Sequence, residues 1–303
     1  MVVYTQNKCA LARTRAKSRE RRGMFSKFGA KNKTGSVDAF GVSVKSNIRY
    51  GDTKNATFDL YRAGEGRLPV VVHFTDAPAK TERAAYAEMA SAIAAKGTAV
   101  AVAGASGESG EKNLECFTEM EEYLRVSLAG ERMDPNAVFF SGDGTGAWTV
   151  LQAARRCIEN GERYPVKPRG VLIFSGVTEP MELARMDLRA ARSALKYGFG
   201  IRKGEGEIPE SAVRDLPSDF PPVFFLHSDS DMLSYSQTSA LKSGLKRAGV
   251  VTSEYRAVYR SLKRDFYLHP ASLPEARSAV CAAYRFIAKI LKNEFDKSEY
   301  TEI

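Results

Sequence analysis

Histidine, cysteine and long apolar runs are scarce in this sequence of 303 residues. It contains three histidines and four cysteines, and no two cysteines form the close pair that is typical of zinc ligands, so we expect neither a metal nor another cofactor. No apolar run approaches the roughly 20 residues that cross a bilayer. The N-terminus lacks the apolar stretch of a secretory signal. We therefore expect a cytoplasmic protein with reduced thiols.

Acidic residues are nearly absent from the beginning of the chain. Residues 1–34 contain ten Lys and Arg residues and one acid, Glu20, whereas the remaining 269 residues contain 35 basic and 35 acidic side chains. The main part of the chain therefore has no positive excess to attract nucleic acid, and we expect no specific nucleic-acid partner. The charge pattern divides the chain into a basic, flexible N-terminal arm, residues 1–37, and a domain, residues 38–303.

The basic arm permits several interpretations. Residues 8–33 would be attracted to an acidic surface such as anionic lipid, and an Arg-rich, acid-poor segment is also typical of an organelle presequence. We favour a solvated, partly helical extension, because the arm has no interleaved apolar face.

The domain is predicted to begin with two strands joined by a tight turn and then to alternate strands with helices. The predicted strands cover residues 42–50, 56–62, 68–74, 98–103, 137–141, 171–175, 223–227 and 252–259. The predicted helices cover residues 81–96, 114–128, 147–158, 235–248 and 274–291, and residues 180–197 are predicted to form one or two more. This order indicates an α/β fold with a mostly parallel, eight-stranded sheet, helices on both faces and an antiparallel edge. Functional residues are then expected where the parallel strands end.

Four short segments lie at such strand ends. They are His73-Phe74-Thr75-Asp76, Val138–Trp148 (VFFSGDGTGAW), Pro221–Leu233 (PPVFFLHSDSDML) and Val258–Phe266 (VYRSLKRDF). The order and spacing of these segments resemble those of the α/β-hydrolase superfamily. Within that superfamily, the chain resembles the carboxylesterase and hormone-sensitive-lipase-like branch over residues 45–292. The resemblance implies an α/β-hydrolase fold with a small cap segment at about residues 176–220.

The resemblance also assigns positions to a catalytic triad, and two of them are degenerate. Gly144 occupies the position of the nucleophile between Asp143 and Thr145, and Arg264 occupies the position of the base. Only the acid, Asp231, matches. Glycine has no nucleophilic group and a guanidinium cannot act as a base, although Arg264 is well placed to form a salt bridge with Asp231.

The oxyanion loop of the resembling family differs from this sequence as well. The family has His-Gly-Gly-Gly, of which only His73 is present here; Phe74 and Thr75 replace two glycines. Bulkier residues make the close approach of backbone amides to an oxyanion harder, and the carboxylate of Asp76 would oppose it.

Whether any catalysis remains is left open by the sequence, and we favour a pseudoenzyme that retains a pocket for a small apolar or ester ligand. One alternative is an active esterase that uses displaced residues, Asp143 or Thr145 with His269. Another is a platform protein that acts through its basic arm. The oligomeric state is not predicted.

Overall fold

The computed structural model describes residues 36–38, 40–52, 56–76, 83–104, 106, 108–128, 130–164, 166–202, 206–258 and 262–293. Their centre is a nine-stranded sheet in the order β1-β2-β3-β5-β4-β6-β7-β8-β9. The strands are β1 (Ser36–Val37), β2 (Ser43–Arg49), β3 (Thr57–Arg62), β4 (Leu68–Phe74), β5 (Ala99–Ala103), β6 (Met133–Asp143), β7 (Gly170–Phe174), β8 (Val223–Ser228) and β9 (Thr252–Ala257).

The predicted mostly parallel sheet and its antiparallel edge are confirmed. The pairs β4–β5, β4–β6, β6–β7, β7–β8 and β8–β9 are parallel. The pairs β1–β2, β2–β3 and β3–β5 are antiparallel. The eight predicted strands correspond to β2–β9, and the two-residue β1 is a ninth that the sequence pattern did not indicate. Of the predicted arm, only residues 36 and 37 belong to the described residues; its other positions lie outside them.

The described residues form seven α-helices, which alternate with the strands. They are α1 (Ala87–Ala94), α2 (Gly110–Ser127), α3 (Gly144–Glu159), α4 (Pro180–Arg185), α5 (Arg189–Gly198), α6 (Met232–Arg247) and α7 (Pro274–Leu291). Short 3₁₀ turns cover Arg83–Tyr86 and Phe266–Leu268. The helix predicted over residues 81–96 is therefore shorter than expected, and its described N-terminal part is a 3₁₀ turn.

The central strands are buried on both faces because helices cover the sheet on each side. In β4, Val70 and Val72 pack into one core while Val71 packs into the other, as strand alternation requires. Helices α1 and α7 contribute to the second core. Helices α2, α3 and α6 and the cap segment contribute to the first. This layering explains why the strands are continuous apolar runs.

The sharp turn from β6 into α3 depends on three glycines. A Cβ atom on Gly142 would lie 2.5 Å from the carbonyl oxygen of Gly146, and one on Gly146 would overlap the carbonyl oxygen of Phe74. Gly144 has φ +49°, in the left-handed region that glycine adopts without steric cost. These close approaches fix the first turn of α3 against the end of β4.

The segment predicted as a cap, residues 176–220, contains α4 and α5 and packs closely on the domain. Phe199 lies edge-on to Trp148, with ring centroids 5.5 Å apart. The indole Nε1 of Trp148 donates a hydrogen bond to the carbonyl oxygen of Glu210 at 2.7 Å. Asn113 Nδ2 donates to the carbonyl oxygen of Gly198 at 2.9 Å. Trp148, near the beginning of α3, thus contacts the cap segment through both its ring and its indole nitrogen.

Candidate active site

The end of β4 and the turn between β6 and α3 bring Asp76 against Gly144. A Cβ atom on Gly144 would overlap the carboxylate of Asp76, since all three nearest atoms are the Cγ, Oδ1 and Oδ2 atoms of that side chain. The carboxylate therefore occupies the space into which a side chain at position 144 would project.

Hydrogen bonds from Thr145 hold the Asp76 carboxylate in this place. The backbone amide of Thr145 donates to Asp76 Oδ1 at 2.9 Å, and its hydroxyl donates to the same oxygen at 2.8 Å. The amide of Asp76 in turn donates to Asp143 Oδ1 at 2.8 Å. Burial and the neighbouring Asp143 raise the pKa of the Asp76 carboxyl above its ordinary value, while Arg264 and the Thr145 hydrogen bonds lower it.

Arg264 lies on the other side of the Asp76 carboxylate. Its Nη1 is 3.7 Å from Asp76 Oδ2, and its Nε is 3.6 Å from Asp231 Oδ2. Its Nη2 donates to the carbonyl oxygen of Ser175 at 3.1 Å. Burial opposes the charge, but the carboxylates of Asp76 and Asp231 raise the pKa of Arg264 above its usual value. The predicted pairing of Arg264 with Asp231 is present in the structure.

Asp231 also has a local structural task. It is the N-cap of α6, and its Oδ1 accepts a hydrogen bond from the amide of Leu233 at 3.1 Å. The structure thus brings together three of the predicted positions, Gly144, Asp231 and Arg264, and adds Asp76 between them.

Asp143 points away from this cluster into a buried polar site. Its Oδ2 accepts hydrogen bonds from the hydroxyls of Tyr86 and Tyr267, each at 2.9 Å. Its Oδ1 accepts the amide of Asp76 and lies 3.4 Å from His73 Nε2. Burial and the Asp143 carboxylate raise the pKa of both tyrosines. Because both oxygens are engaged, attack by Asp143 on a substrate would require these contacts to break.

The remaining residues of the predicted oxyanion loop are buried under the site. His73 Nδ1 lies 2.9 Å from Ser141 Oγ, across the pairing of β4 with β6. Phe74 packs against Phe117 with ring centroids 5.1 Å apart. Thr75 has a fully buried side chain. None of these three side chains is exposed to a ligand.

The structure shows the surroundings of the displaced residues of the alternative interpretation. Thr145 donates both its amide and its hydroxyl to Asp76. His269 is exposed after the 3₁₀ turn Phe266–Leu268. His227, the third histidine, lies 2.8 Å from Glu254 Oε1 through its Nε2. Within the described residues, then, no imidazole contacts the Asp76 carboxylate or Arg264.

The described part of the chain contains no group of three or more His, Cys, Asp or Glu side chains that is suited to hold a metal ion. Among the same residues, no helix is both long and apolar enough to span a membrane.

Comparison with known proteins gives matches among solved structures only. No model of a known protein family matches the sequence, and no curated protein matches it. The structure of esterase B from Lactobacillus rhamnosis has a TM-score of 0.70 and 18% identity, and the alignment covers 97% of this chain and 99% of that one. Esterase LipW from Mycobacterium marinum has a TM-score of 0.67 and 15% identity, with 96% and 92% covered.

A third similar structure is an esterase of the bacterial hormone-sensitive lipase family, with a TM-score of 0.65, 16% identity, and 84% of this chain and 86% of that chain covered. The chain therefore has the α/β-hydrolase fold predicted from its sequence, and the three similar structures named above are esterases. In that fold, the amide that follows the nucleophile contributes to the oxyanion hole. Thr145 follows Gly144, which the sequence resemblance assigns to the nucleophile position, and its amide is bonded to the carboxylate of Asp76.

Two features of this site were not predicted from the sequence. The carboxylate of Asp76 was expected to oppose an oxyanion, but not to fill the space beside Gly144. Tyr86 and Tyr267 were not singled out at all. Tyr267 lies three positions after Arg264, a proximity that could have drawn attention to it, whereas no pattern connects Tyr86 with Asp143, 57 positions away.

Proposed function

We propose that this protein is a non-catalytic form of the α/β-hydrolase fold that acts by binding. The proposal rests mainly on one observation: the Asp76 carboxylate lies where a nucleophile at position 144 would project and accepts the hydrogen bonds of Thr145. A negatively charged side chain there excludes a developing oxyanion by repulsion and by volume.

The other groups around Asp76 support the same proposal. Acyl transfer needs a nucleophile and a base that can take its proton. Position 144 has no side chain, and the guanidinium of Arg264, which lies between Asp76 and Asp231, stays protonated. Asp76 and Arg264 thus form a salt bridge in place of a reactive pair.

The expected small apolar or ester ligand, the acidic surface expected to attract residues 8–33 and the cytoplasmic location stay predictions. A small ligand that binds the folded protein would raise its melting temperature in proportion to the logarithm of ligand excess.

Hydrolysis of p-nitrophenyl acetate and butyrate by the purified protein tests the proposal. The expected rate is that of buffer containing the same concentration of heat-unfolded protein. The control variants are His269→Ala and Thr145→Val, which remove the groups of the displaced arrangement. Turnover by the wild type that either variant abolishes would show an active esterase and overturn the proposal.

A further inference from the structure

Thr145 and Arg264 surround the carboxylate of Asp76 with the donors of an anion-binding site. The amide and the hydroxyl of Thr145 donate to one oxygen, Oδ1. Arg264 Nη1 lies 3.7 Å from the other oxygen, Oδ2. Backbone amides, hydroxyls and guanidinium groups are the donors with which proteins bind carboxylates. The three donor groups of Thr145 and Arg264 are called the carboxylate cradle below.

The Thr145 part of the carboxylate cradle is held by the end of α5. A Cβ atom on Gly198 would overlap the Thr145 side chain, so the backbone of Gly198 packs directly on it. The carbonyl oxygen of Gly198 accepts a hydrogen bond from Asn113 Nδ2 at 2.9 Å, which keeps the end of α5 in place. The Thr145 hydroxyl is therefore positioned by groups other than Asp76.

The Arg264 part of the carboxylate cradle is held by Ser175. Ser175 Oγ donates to the carbonyl oxygen of Arg264 at 3.0 Å, and the carbonyl oxygen of Ser175 accepts Arg264 Nη2 at 3.1 Å. Ser175 has φ +44°, a conformation that residues other than glycine seldom adopt. Since none of these contacts involves Asp76, we expect the carboxylate cradle to keep its shape when the Asp76 side chain is removed.

Charge and space restrict the anion that the carboxylate cradle can take. The carboxylate of Asp143 accepts the amide of Asp76 at 2.8 Å, and that of Asp231 lies 3.6 Å from Arg264 Nε. These two carboxylates would repel a second negative charge on a ligand, whereas a single charge replaces that of Asp76. The side chains of Asp76 and Arg264 are each 28% exposed, so solvent reaches the site. The fitting ligand is a small monocarboxylate.

We propose that the carboxylate cradle is a binding site for the carboxylate of a small organic acid, and that Asp76 closes this site by occupying it as an internal ligand. The inference rests on the proposed function, because it names the ligand class of that same site. A tethered carboxylate competes at an effective concentration of about 1 mM or more. A free acid should therefore bind weakly to the wild type and more tightly once the Asp76 side chain is absent.

Thermal unfolding in acetate or formate, each compared with chloride at equal concentration, tests this proposal. Acetate has the carbon and oxygen atoms that Asp76→Gly removes, and formate has those that Asp76→Ala removes. Asp76→Asn is the control in which a side chain still fills the space. Asp229→Gly is the matched control for the loss of a carboxylate from a guanidinium, since Asp229 pairs with Arg256, which is 54% exposed.

Acetate at about ten times its dissociation constant is expected to raise the melting temperature of Asp76→Gly by about 3 °C or more beyond the effect of chloride. Formate should do the same for Asp76→Ala. The wild type, Asp76→Asn and Asp229→Gly should respond to these anions as they do to chloride. Addition of Arg264→Gln to Asp76→Gly should abolish the response.

The proposal would be overturned if Asp76→Gly and Asp76→Ala responded no more than the wild type at anion concentrations up to about 0.5 M. A response that persists without Arg264 would overturn it as well. If Asp76→Gly does not fold, the response of Asp76→Ala to formate decides alone. Ester turnover by the wild type would overturn the proposed function instead, and melting temperatures do not measure it, so the two failures are distinguishable.

Discussion

The amide and the hydroxyl of Thr145 both donate to one oxygen of Asp76, at 2.9 and 2.8 Å. An amide at the beginning of α3 thus has a carboxylate of the same chain as its acceptor. The Asp76 carboxylate gives an amide in the first turn of α3 a hydrogen-bond acceptor, and it occupies the space beside Gly144. Both effects make Asp76 the residue on which the account of this site depends.

We expect Gly144→Ala to destabilise the protein by about 2 kcal/mol or more. Part of the cost arises from the positive φ of this residue, +49°. The rest arises because the new Cβ atom would overlap the Asp76 carboxylate. Chemical denaturation of the single variant and of the Asp76→Gly, Gly144→Ala pair would separate the two costs.

Gly249→Ala is the matched control, since Gly249 has φ +66° and no atom would lie within 4 Å of its Cβ. It should show the cost of the backbone conformation alone. Gly144→Ala could lower the free energy of unfolding by no more than Gly249→Ala does, and by the same amount with and without Asp76→Gly. That result would show that a side chain at position 144 does not overlap Asp76.

Arg264→Ala is expected to lower stability by roughly 1–3 kcal/mol, measured as a lower melting temperature or denaturation midpoint. The substitution leaves the carboxylates of Asp76 and Asp231 close together without a positive charge between them. It also removes the donor to the carbonyl oxygen of Ser175. The Arg264 side chain is 28% exposed, so solvent screening makes this loss of stability smaller than the loss from breaking a fully buried ion pair.

Arg256→Ala serves as the control for a surface ion pair. Arg256 is 54% exposed and lies 2.6 Å from Asp229, so its loss should change stability by no more than about 1 kcal/mol. An equal effect of the two substitutions would show that Arg264 has no special structural role.

Asp143→Ala should destabilise the protein by about 2–4 kcal/mol. It leaves the buried hydroxyls of Tyr86 and Tyr267 without their acceptor and removes the partner of the Asp76 amide; each unsatisfied buried group costs about 1–3 kcal/mol. The Tyr86→Phe, Tyr267→Phe background should reduce this cost, because the orphaned hydroxyls are then absent. A cost that is the same in both backgrounds would contradict the hydrogen-bond assignment.

Glu121→Gln is expected to make stability less dependent on pH. Burial raises the pKa of the Glu121 carboxyl to about 7, while its contacts with Cys157 and the Val166 amide lower it. The unfolded state releases this proton near pH 4.5 and the folded state near 7. Below pH 4.5 the Glu121 carboxyl is protonated in both states and does not lower the free energy of unfolding. That free energy falls as pH rises from about 4.5 to about 7, and above pH 7 it stays lower.

The variant should match the wild type near pH 4.5 and exceed it in stability at about pH 8, by roughly 3 kcal/mol at most. Thermal unfolding across this pH range measures the difference. Glu162→Gln, at an exposed turn, should leave the pH profile unchanged. A Glu121→Gln profile parallel to that of the wild type would show that the carboxyl is not buried in its charged form.

The fold was predictable because it depends on local patterns, whereas the site depends on contacts between distant positions. Continuous apolar runs such as Leu68–Phe74 determine β4 whatever lies beside them, and the glycines around position 144 indicate a sharp turn. The meeting of Asp76 with Thr145 requires the relative placement of β4 and α3, 69 positions apart. The cluster of Asp143 with Tyr86 and Tyr267 is likewise assembled from three separate elements.

The central claim is that the Asp76 carboxylate occupies the place of a nucleophile at position 144. Intact-mass analysis after exposure to a fluorophosphonate tests this claim on three proteins. They are the wild type, the double variant with Gly144→Ser and Arg264→His, and a triple variant that also contains Asp76→Gly. We predict that the wild type is unlabelled, that the double variant is labelled slowly or not at all, and that the triple variant is labelled readily. Labelling of the double variant as fast as the triple, or any labelling of the wild type, would contradict the account.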